Sequence, residues 1–483
     1  MRVSSTAPER TEKLSAEVKV ILIVLIASAL VMFLNETILS VALPTIMVDF
    51  DIPASTAQWL TTGFMLTMAV VIPTTGWVLQ RFSTKSVFTV ALASFLVGTI
   101  VAAAAPVFEV LLLGRIVQAF GTALIMPLLL TVAMTVVPGN RRGSVMGLIS
   151  IVMSVAPALG PTISGLILNS LSWHWLFWLV VPLVILALGV GSFFIGNIGE
   201  TAKVPLDPTS VVLATAAFGG LVFALSSIGT DPTMAAVIGP IAVISLAVFV
   251  IRQLRLEDPL LDLHPFGIRN YTLSVLLALL VMGTLLGVVM VFPIYLQTAI
   301  GLSALGTGLL VMPGGLLQGV LAPFIGRLYD SVGPRPLVVP GAVMLAASVW
   351  WMTLLDVDSS IGLIISMYLI FSLSLAFLMT PLMTTALGSL PRSLYGHGSA
   401  ILNTLQQLAG AAGTAVLITA LSVGTQQSLD QGIGIEQATA DGAHTAFLIA
   451  GVLAVLVLVI SPLITKVPRD YREESIEVEA GTN

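Results

Sequence analysis

Glu36 and Arg115 are ionisable side chains set well inside long apolar runs, whereas nearly all other charges fall between such runs or at their ends. Glu36 lies in "FLNETILSVALP" (33–44), which is apolar back to Val20 apart from one Ser and stays nearly so to Val48. Burial and a nearby cation act on a carboxyl in opposite senses, so an acid in such surroundings can be tuned to take up and release a proton. Asn35 is its polar neighbour. Arg115 opens "RIVQAFGTALIMP" (115–127). A lone guanidinium in lipid costs on the order of 3 kcal/mol or more, so it needs a partner or water. Further polar candidates are thinner. Asn403, Gln406 and Gln407 have the spacing of one helix face, and such amides seek partners as an interhelical clamp or as a ligand site. Tyr295 and Gln297 are weaker candidates. Phe33, Met65, Met68, Met153 and Met290 offer a soft lining for greasy substrates, or plain core and lipid-facing filler.

Other chemistries are excluded. Cysteine is absent, which removes disulfides, thiolate metal sites and thiol catalysis. The four His residues, at 174, 264, 397 and 444, form no metal-ligand cluster. No G-x-x-x-x-G-K-[ST] loop occurs, so ATP-driven pumping is not expected. No enzyme constellation is visible, no cofactor is expected beyond protons as a coupling ion, and nucleic acid is not an expected partner.

The elements that must position Glu36 and Arg115 follow from composition. The chain is 57% hydrophobic and 9% charged, with mean hydropathy +1.07, against roughly 25% charged residues in soluble proteins. It reads as an integral membrane protein. A helical span needs about 20 mostly apolar residues, and that template finds fourteen, near 20–44, 56–79, 86–106, 110–137, 144–169, 175–197, 208–228, 234–251, 272–297, 303–326, 337–355, 361–387, 397–422 and 444–466. The runs are continuously apolar rather than alternating, which favours helices over a barrel. The first run is too long for a signal-peptide core, and no A-x-A site follows it. With the amino terminus inside, every Lys and Arg except Arg115 falls in a tail or an inside loop. The positive-inside rule then places both termini in the cytoplasm. The longest outer loop is expected at about 423–443.

Depth follows from the helical rise of about 1.5 Å per residue: Glu36 sits about 12 Å, and Arg115 about 8 Å, below the outer ends of the first and fourth spans. The two are expected at comparable depth, close enough for Arg115 to influence the protonation of Glu36.

The chain also repeats itself. "PLLLTVAMTVVPGNRRGS" (127–144) is similar to "PLMTTALGSLPRSLYGHGS" (381–399). Pro127 and Pro381 are 254 residues apart, and Gly76 and Gly326 are 250 apart. Two parallel six-helix halves are expected, with two helices between them. The boundaries read as a tail at 1–19, a first bundle at 20–200, linker helices at 201–256, a second bundle at 257–466 and a tail at 467–483.

These motifs resemble the major facilitator superfamily, specifically its fourteen-helix drug:proton antiporter branch, and "LNETILSVALPTI" is closest to the lincomycin-resistance exporters within it. "GRLYDSVGPR" resembles that superfamily's loop signature through Gly326, Asp330, Gly333 and Arg335. The first-half copy, "GWVLQRFSTK", keeps Gly76, Arg81 and Lys85 but has Gln80 where the acid is usual. The resemblance implies that these loops form a cytoplasmic gate. "APALGPTISG" (156–165) resembles the antiporter motif of export members through Pro157, Gly160, Pro161 and Gly165, a hinge or seal. The Arg115-to-Gln118 stretch resembles a motif implicated in proton transfer. What the resemblance implies is an all-α integral membrane protein of the major facilitator fold, a monomer in a bacterial inner membrane. It would export lipophilic drugs, cationic ones among them, against protons by alternating access, with Glu36 as the coupling acid. Export of an endogenous lipid, peptide or amino acid is the alternative. An uptake symporter or a non-transporting scaffold ranks below both.

Overall fold

A computed structural model describes residues 15–198, 201–202, 204–228 and 231–466. Of the expected tails, residues 1–14 and 467–483 lie outside the described residues, and 16–19 belong to the first helix. The fold is all-helical, with no strand among the described residues. The principal helices in chain order are α1 (Ala16–Asp49), α2 (Trp59–Arg81), α3 (Thr84–Ala103), α4 (Phe108–Val136), α5 (Arg142–Leu168), α6 (Trp175–Phe194) and α7 (Pro208–Ser227). They continue with α8 (Pro232–Gln253), α9 (Arg269–Thr298), α10 (Ala304–Val332), α11 (Arg335–Met352), α12 (Ile361–Gly388), α13 (Tyr395–Asp430) and α14 (Ile435–Ile460). Thirteen of these segments are long and apolar enough to cross a membrane. The remaining helix, α5, has 27 residues, about 40 Å of rise, and packs along α1 and α10.

Apolar sequence makes these segments helical because hydrocarbon offers the backbone no outside partner. Their starts are marked by caps: Ser83, Ser303, Ser360 and Asp231 each accept a backbone N–H from the first turn. Pro73 opens a 3₁₀ turn, Ile72–Thr74, inside α2, and a π turn, Thr215–Gly219, interrupts α7.

Six helices on each side form a bundle, with α7 and α8 between them in sequence. In the first, α3 packs on α4 and α1 on α5 and α6; in the second, α13 packs on α9 and α14, and α11 on α12. Small residues permit the close approaches. Gly283 of α9 meets Gly413 of α13, and Gly98 of α3 meets Gly114 and Gln118 of α4. The bundles touch chiefly through α5 against α10. α8 is mostly exposed and pairs with α7. Arg252 joins them by donating to Asp207 from Nε at 2.7 Å and Nη2 at 3.1 Å. That guanidinium lowers the Asp207 carboxyl to about 2.

One expectation is corrected. The segment 423–443 is not a long loop, because α13 runs to Asp430 and α14 begins at Ile435. Its polar residues are spent on bonds along and between these helices. Gln426 donates to Asp430 at 2.8 Å and Ser428 to Asp441 at 2.7 Å. Gly432, at φ +80°, makes the turn between them.

Candidate functional site

The site forms where α1 and α4 meet. Arg115 is buried, 1% exposed. Its Nη1 donates to Oδ1 of Asn35 and to Oε1 of Gln118, each at 3.0 Å. The Gln118 amide in turn donates to the Thr99 hydroxyl at 2.8 Å, and Thr99 donates to the Phe95 carbonyl at 2.6 Å. The Phe64 ring of α2 covers the guanidinium, its centroid 4.1 Å from Cζ. Bonds to a charged group contribute about 1.5–3 kcal/mol each and a desolvated cation–π contact about 2 kcal/mol. Together these offset the cost of holding the cation in apolar surroundings.

Glu36 stands apart from this network. It is half-buried, lies within Coulombic reach of Arg115, and forms no ion pair with it within 4.0 Å. Its Oε2 is buried without a hydrogen-bond partner, and so is the Arg115 Nε. A buried carboxylate oxygen with no partner is costly, because it loses water and gains nothing in return. Such an oxygen is suited to a proton, or to a cationic group brought by a ligand.

A second constellation lies at the end of the helices where the basic loops sit, here termed the basic end. Asp330 of α10 accepts the N–H groups of Gly143 at 2.7 Å and Ser144 at 2.9 Å, and the Ser144 hydroxyl at 2.6 Å. The carboxylate thus caps the amino terminus of α5, where the helix dipole favours an anion. Gly326 packs directly on the Gly143 carbonyl. Arg142 donates to the Met134 and Val137 carbonyls at the end of α4, 2.8 and 3.3 Å away, and lies over the Tyr395 ring at 5.4 Å. On the other side, Gly76 abuts His397: a Cβ there would lie 2.6 Å from its Nδ1. Further in, Thr131 bonds Ser399 at 3.1 Å, and Thr380 donates to Ser150 at 2.8 Å. Every described hydrogen bond between the bundles lies between the basic end and the level of Gln407, whose amide points at the Met68 sulfur at 3.9 Å. The bundles are therefore latched at the basic end.

The remaining predicted residues scatter. Gly333, at φ +83°, ends α10, and Arg335 is exposed at the start of α11. Arg81 ends α2, and Lys85 is exposed. Gly160 packs on Thr37 of α1, whereas a Cβ on Gly165 would meet nothing within 4 Å. The side chains of Pro157 and Pro161 lie outside the described residues. Tyr295 donates to the Asp356 carbonyl at 2.8 Å, a tie between α9 and the turn after α11, and Gln297 is exposed. Asn403 bonds its own helix, through the Ser399 carbonyl at 2.8 Å. Gln406 is buried with its Nε2 unpartnered. Met65 and Met290 are exposed, and Met68 is buried. Sequence reasoning missed Phe64, Thr99, Arg142, Ser144, Tyr395 and His397. Among the described residues, no group of three or more His, Asp or Glu side chains is placed to hold a metal ion.

Comparisons with known proteins bear on this architecture. Residues 25–414 match the Major Facilitator Superfamily. The lincomycin resistance protein LmrB of Listeria monocytogenes is 40% identical over 440 residues, covering 89% of this chain and 93% of that protein. The LmrB of Bacillus subtilis is 37% identical over 478 residues, covering 96% and 99%. Among solved structures, the proton:xylose symporter XylE superposes with a TM-score of 0.67 at 14% identity, covering 94% of this chain and 97% of that one, which shows the fold alone. The helices, the bundles and these matches agree: the chain belongs to the Major Facilitator Superfamily of multi-pass membrane transporters.

Proposed function

We propose that this transporter exports lipophilic drugs, cationic ones among them, in exchange for protons. The single observation that carries the reading is the unpartnered, buried Oε2 of Glu36 beside a guanidinium already engaged by Asn35 and Gln118. Because two amides hold Arg115, the carboxylate is left to take a proton and a cationic drug in alternation. The names of the relatives, lincomycin resistance proteins, support a drug as cargo.

The basic loops read as cytoplasmic, which puts both termini inside; the bacterial relatives support a bacterial plasma membrane, and a monomer is the form that the family implies. The latched end then faces the cytoplasm, and the state described is closed inward. In this reading an outside proton reaches Glu36 and displaces the drug. The latch of Asp330 on Gly143 and Ser144 then opens, the proton leaves inward, and a new drug binds the bared carboxylate. The two six-helix bundles, 20–200 and 257–466, are the bodies that rock, and Arg81, Lys85 and Arg335 flank the gate.

The test is transport by purified protein in proteoliposomes under an imposed pH gradient, with a panel of drugs. Wild type should exchange drug for protons. The Glu36→Gln variant should reconstitute equally well and exchange none. Undiminished pH-driven exchange by Glu36→Gln refutes the reading. Substrate and proton moving in the same direction would replace it with uptake symport.

A further inference from the structure

We propose that Thr37 is a positioning residue that couples the tilt of α5 to the protonation of Glu36. The proposal rests on the reading of Glu36 as the proton carrier and names the contact through which the gate reaches it.

Thr37 follows Glu36 on α1, so the two side chains leave the helix about 100° apart. The Thr37 hydroxyl reaches across to the Ala156 carbonyl of α5 at 3.1 Å, with the Leu34 and Phe33 carbonyls of its own helix at 3.1 and 3.3 Å. One turn beyond Ala156, Gly160 lies directly under the same side chain. A Cβ on Gly160 would overlap the Thr37 hydroxyl and come within 2.8 Å of its Cβ and 3.2 Å of its backbone carbonyl carbon. Gly160 is thus a notch in α5 that seats Thr37, and the hydroxyl bond ties the seat.

The same helix carries the latch at its other end. The Gly143 and Ser144 amides sit on Asp330, and a Cβ on Gly147 would come within 2.8 Å of the Pro323 Cα of α10. From Gly143 to Gly160 is about 26 Å of continuous helix. Seated on α10 at one end and on Thr37 at the other, α5 cannot tilt away from the latch without pulling on α1. That pull changes how Glu36 faces Arg115.

The charged side chains on the elements around Glu36 are few. Arg115 faces it from α4, with Glu109 at the start of that helix. α5 brings Arg142 and α2 brings Arg81, both at the basic end, and α6 brings none. Glu17, Lys19 and Asp49 lie toward the ends of α1. A shift in the pH response of Glu36 after a change at Thr37 therefore reports its placement against Arg115.

The experiment measures drug-evoked proton release across proteoliposomes as a function of pH, for wild type, Thr37→Val, Thr37→Ser, Gly160→Ala and Gly189→Ala. A Cβ on Gly189 meets nothing within 4 Å, so that variant is the control for added bulk. Thr37→Val keeps the shape and loses the hydroxyl. It should move the midpoint of the pH profile by about half a pH unit or more and lower the number of protons released per drug. Gly160→Ala should move the midpoint as well, by unseating Thr37 from the α5 side. Thr37→Ser and Gly189→Ala should keep the wild-type midpoint. A wild-type midpoint in both Thr37→Val and Gly160→Ala, whatever happens to the rate, overturns the proposal and leaves Thr37 a packing residue. If Glu36→Gln is inactive while Thr37→Val behaves as wild type, only the role of Thr37 falls. If Glu36→Gln still releases protons on drug addition, both readings fall.

Discussion

Arg115 donates to Asn35, at 3.0 Å, and not to the adjacent Glu36. The amide thereby keeps a buried cation in place without consuming the carboxylate beside it. Asn35→Leu removes the acceptor while keeping the number and branching of the side-chain heavy atoms. It should lower stability by about 1.5–3 kcal/mol, the contribution of a bond to a charged group, read by thermal unfolding in detergent. Transport should fall at least tenfold, because the freed guanidinium turns to Glu36. Full stability and transport in Asn35→Leu would show that Gln118 and Phe64 hold Arg115 without it.

The latch makes a second prediction. Asp330→Asn keeps the shape of the side chain but removes the charge that caps α5. Loss of about 1.5 kcal/mol or more corresponds to at least a tenfold shift of population toward the state open at the basic end. The chain contains no cysteine, so a single one placed at Ser154, buried on α5 where it faces Gly319 of α10, is a clean reporter. Its alkylation from the basic side should be faster in the Asp330→Asn background. An unchanged rate would remove Asp330 from the gate.

How much of this was legible in sequence depends on the kind of signal. The spans were legible because hydrocarbon demands long apolar runs, and Glu36 and Arg115 because they interrupt them. Their pairing was not. Helical rise gives depth but not which side of α1 faces α4, so Asn35 and Glu36 could not be ranked as partners of Arg115. Asp330 was marked by its loop motif, while two of its partners are the backbone amides of Gly143 and Ser144, which leave no side-chain signature. The internal repeat held an unread clue. Offsets of about 250 and 254 carry the contact of Gly326 with Gly143 onto that of Gly76 with His397. The two gates are thus related by the repeat, with Gln80 where the second half has its acid. The loop expected at 423–443 was misplaced because polar composition was taken for irregular structure, when those residues cap and cross-link two helix ends.

Away from the site, Asp207 and Arg252 fasten the linker helices. The carboxyl is depressed in the folded protein, so its contribution is fully present above the ordinary unfolded value near 4 and is lost as pH falls toward about 2. Asp207→Asn should therefore lower the melting temperature at pH 7 and make no difference near pH 2. An equal difference at both pH values would mean that packing, not charge, explains the effect. Because the pair is only partly buried, with Arg252 open to solvent, the change at pH 7 should be small and should shrink in high salt.

Glu36 is the carboxylate set deep in the helices around Arg115, and this limits the charge that one cycle can balance. Monocationic drugs should be exported readily and dications poorly, with transport of dications at least tenfold slower under the same pH gradient. Counterflow measurements with matched mono- and dications decide it. Equal rates would require a second membrane acid or a cargo site away from Glu36.

The most direct measurement counts protons released when drug binds to purified transporter in weakly buffered detergent. The account predicts that wild type releases close to one proton per bound monocation on the plateau of its pH profile and about half of that at the midpoint, and that Glu36→Gln releases none. Release of the same number of protons by Glu36→Gln would contradict it.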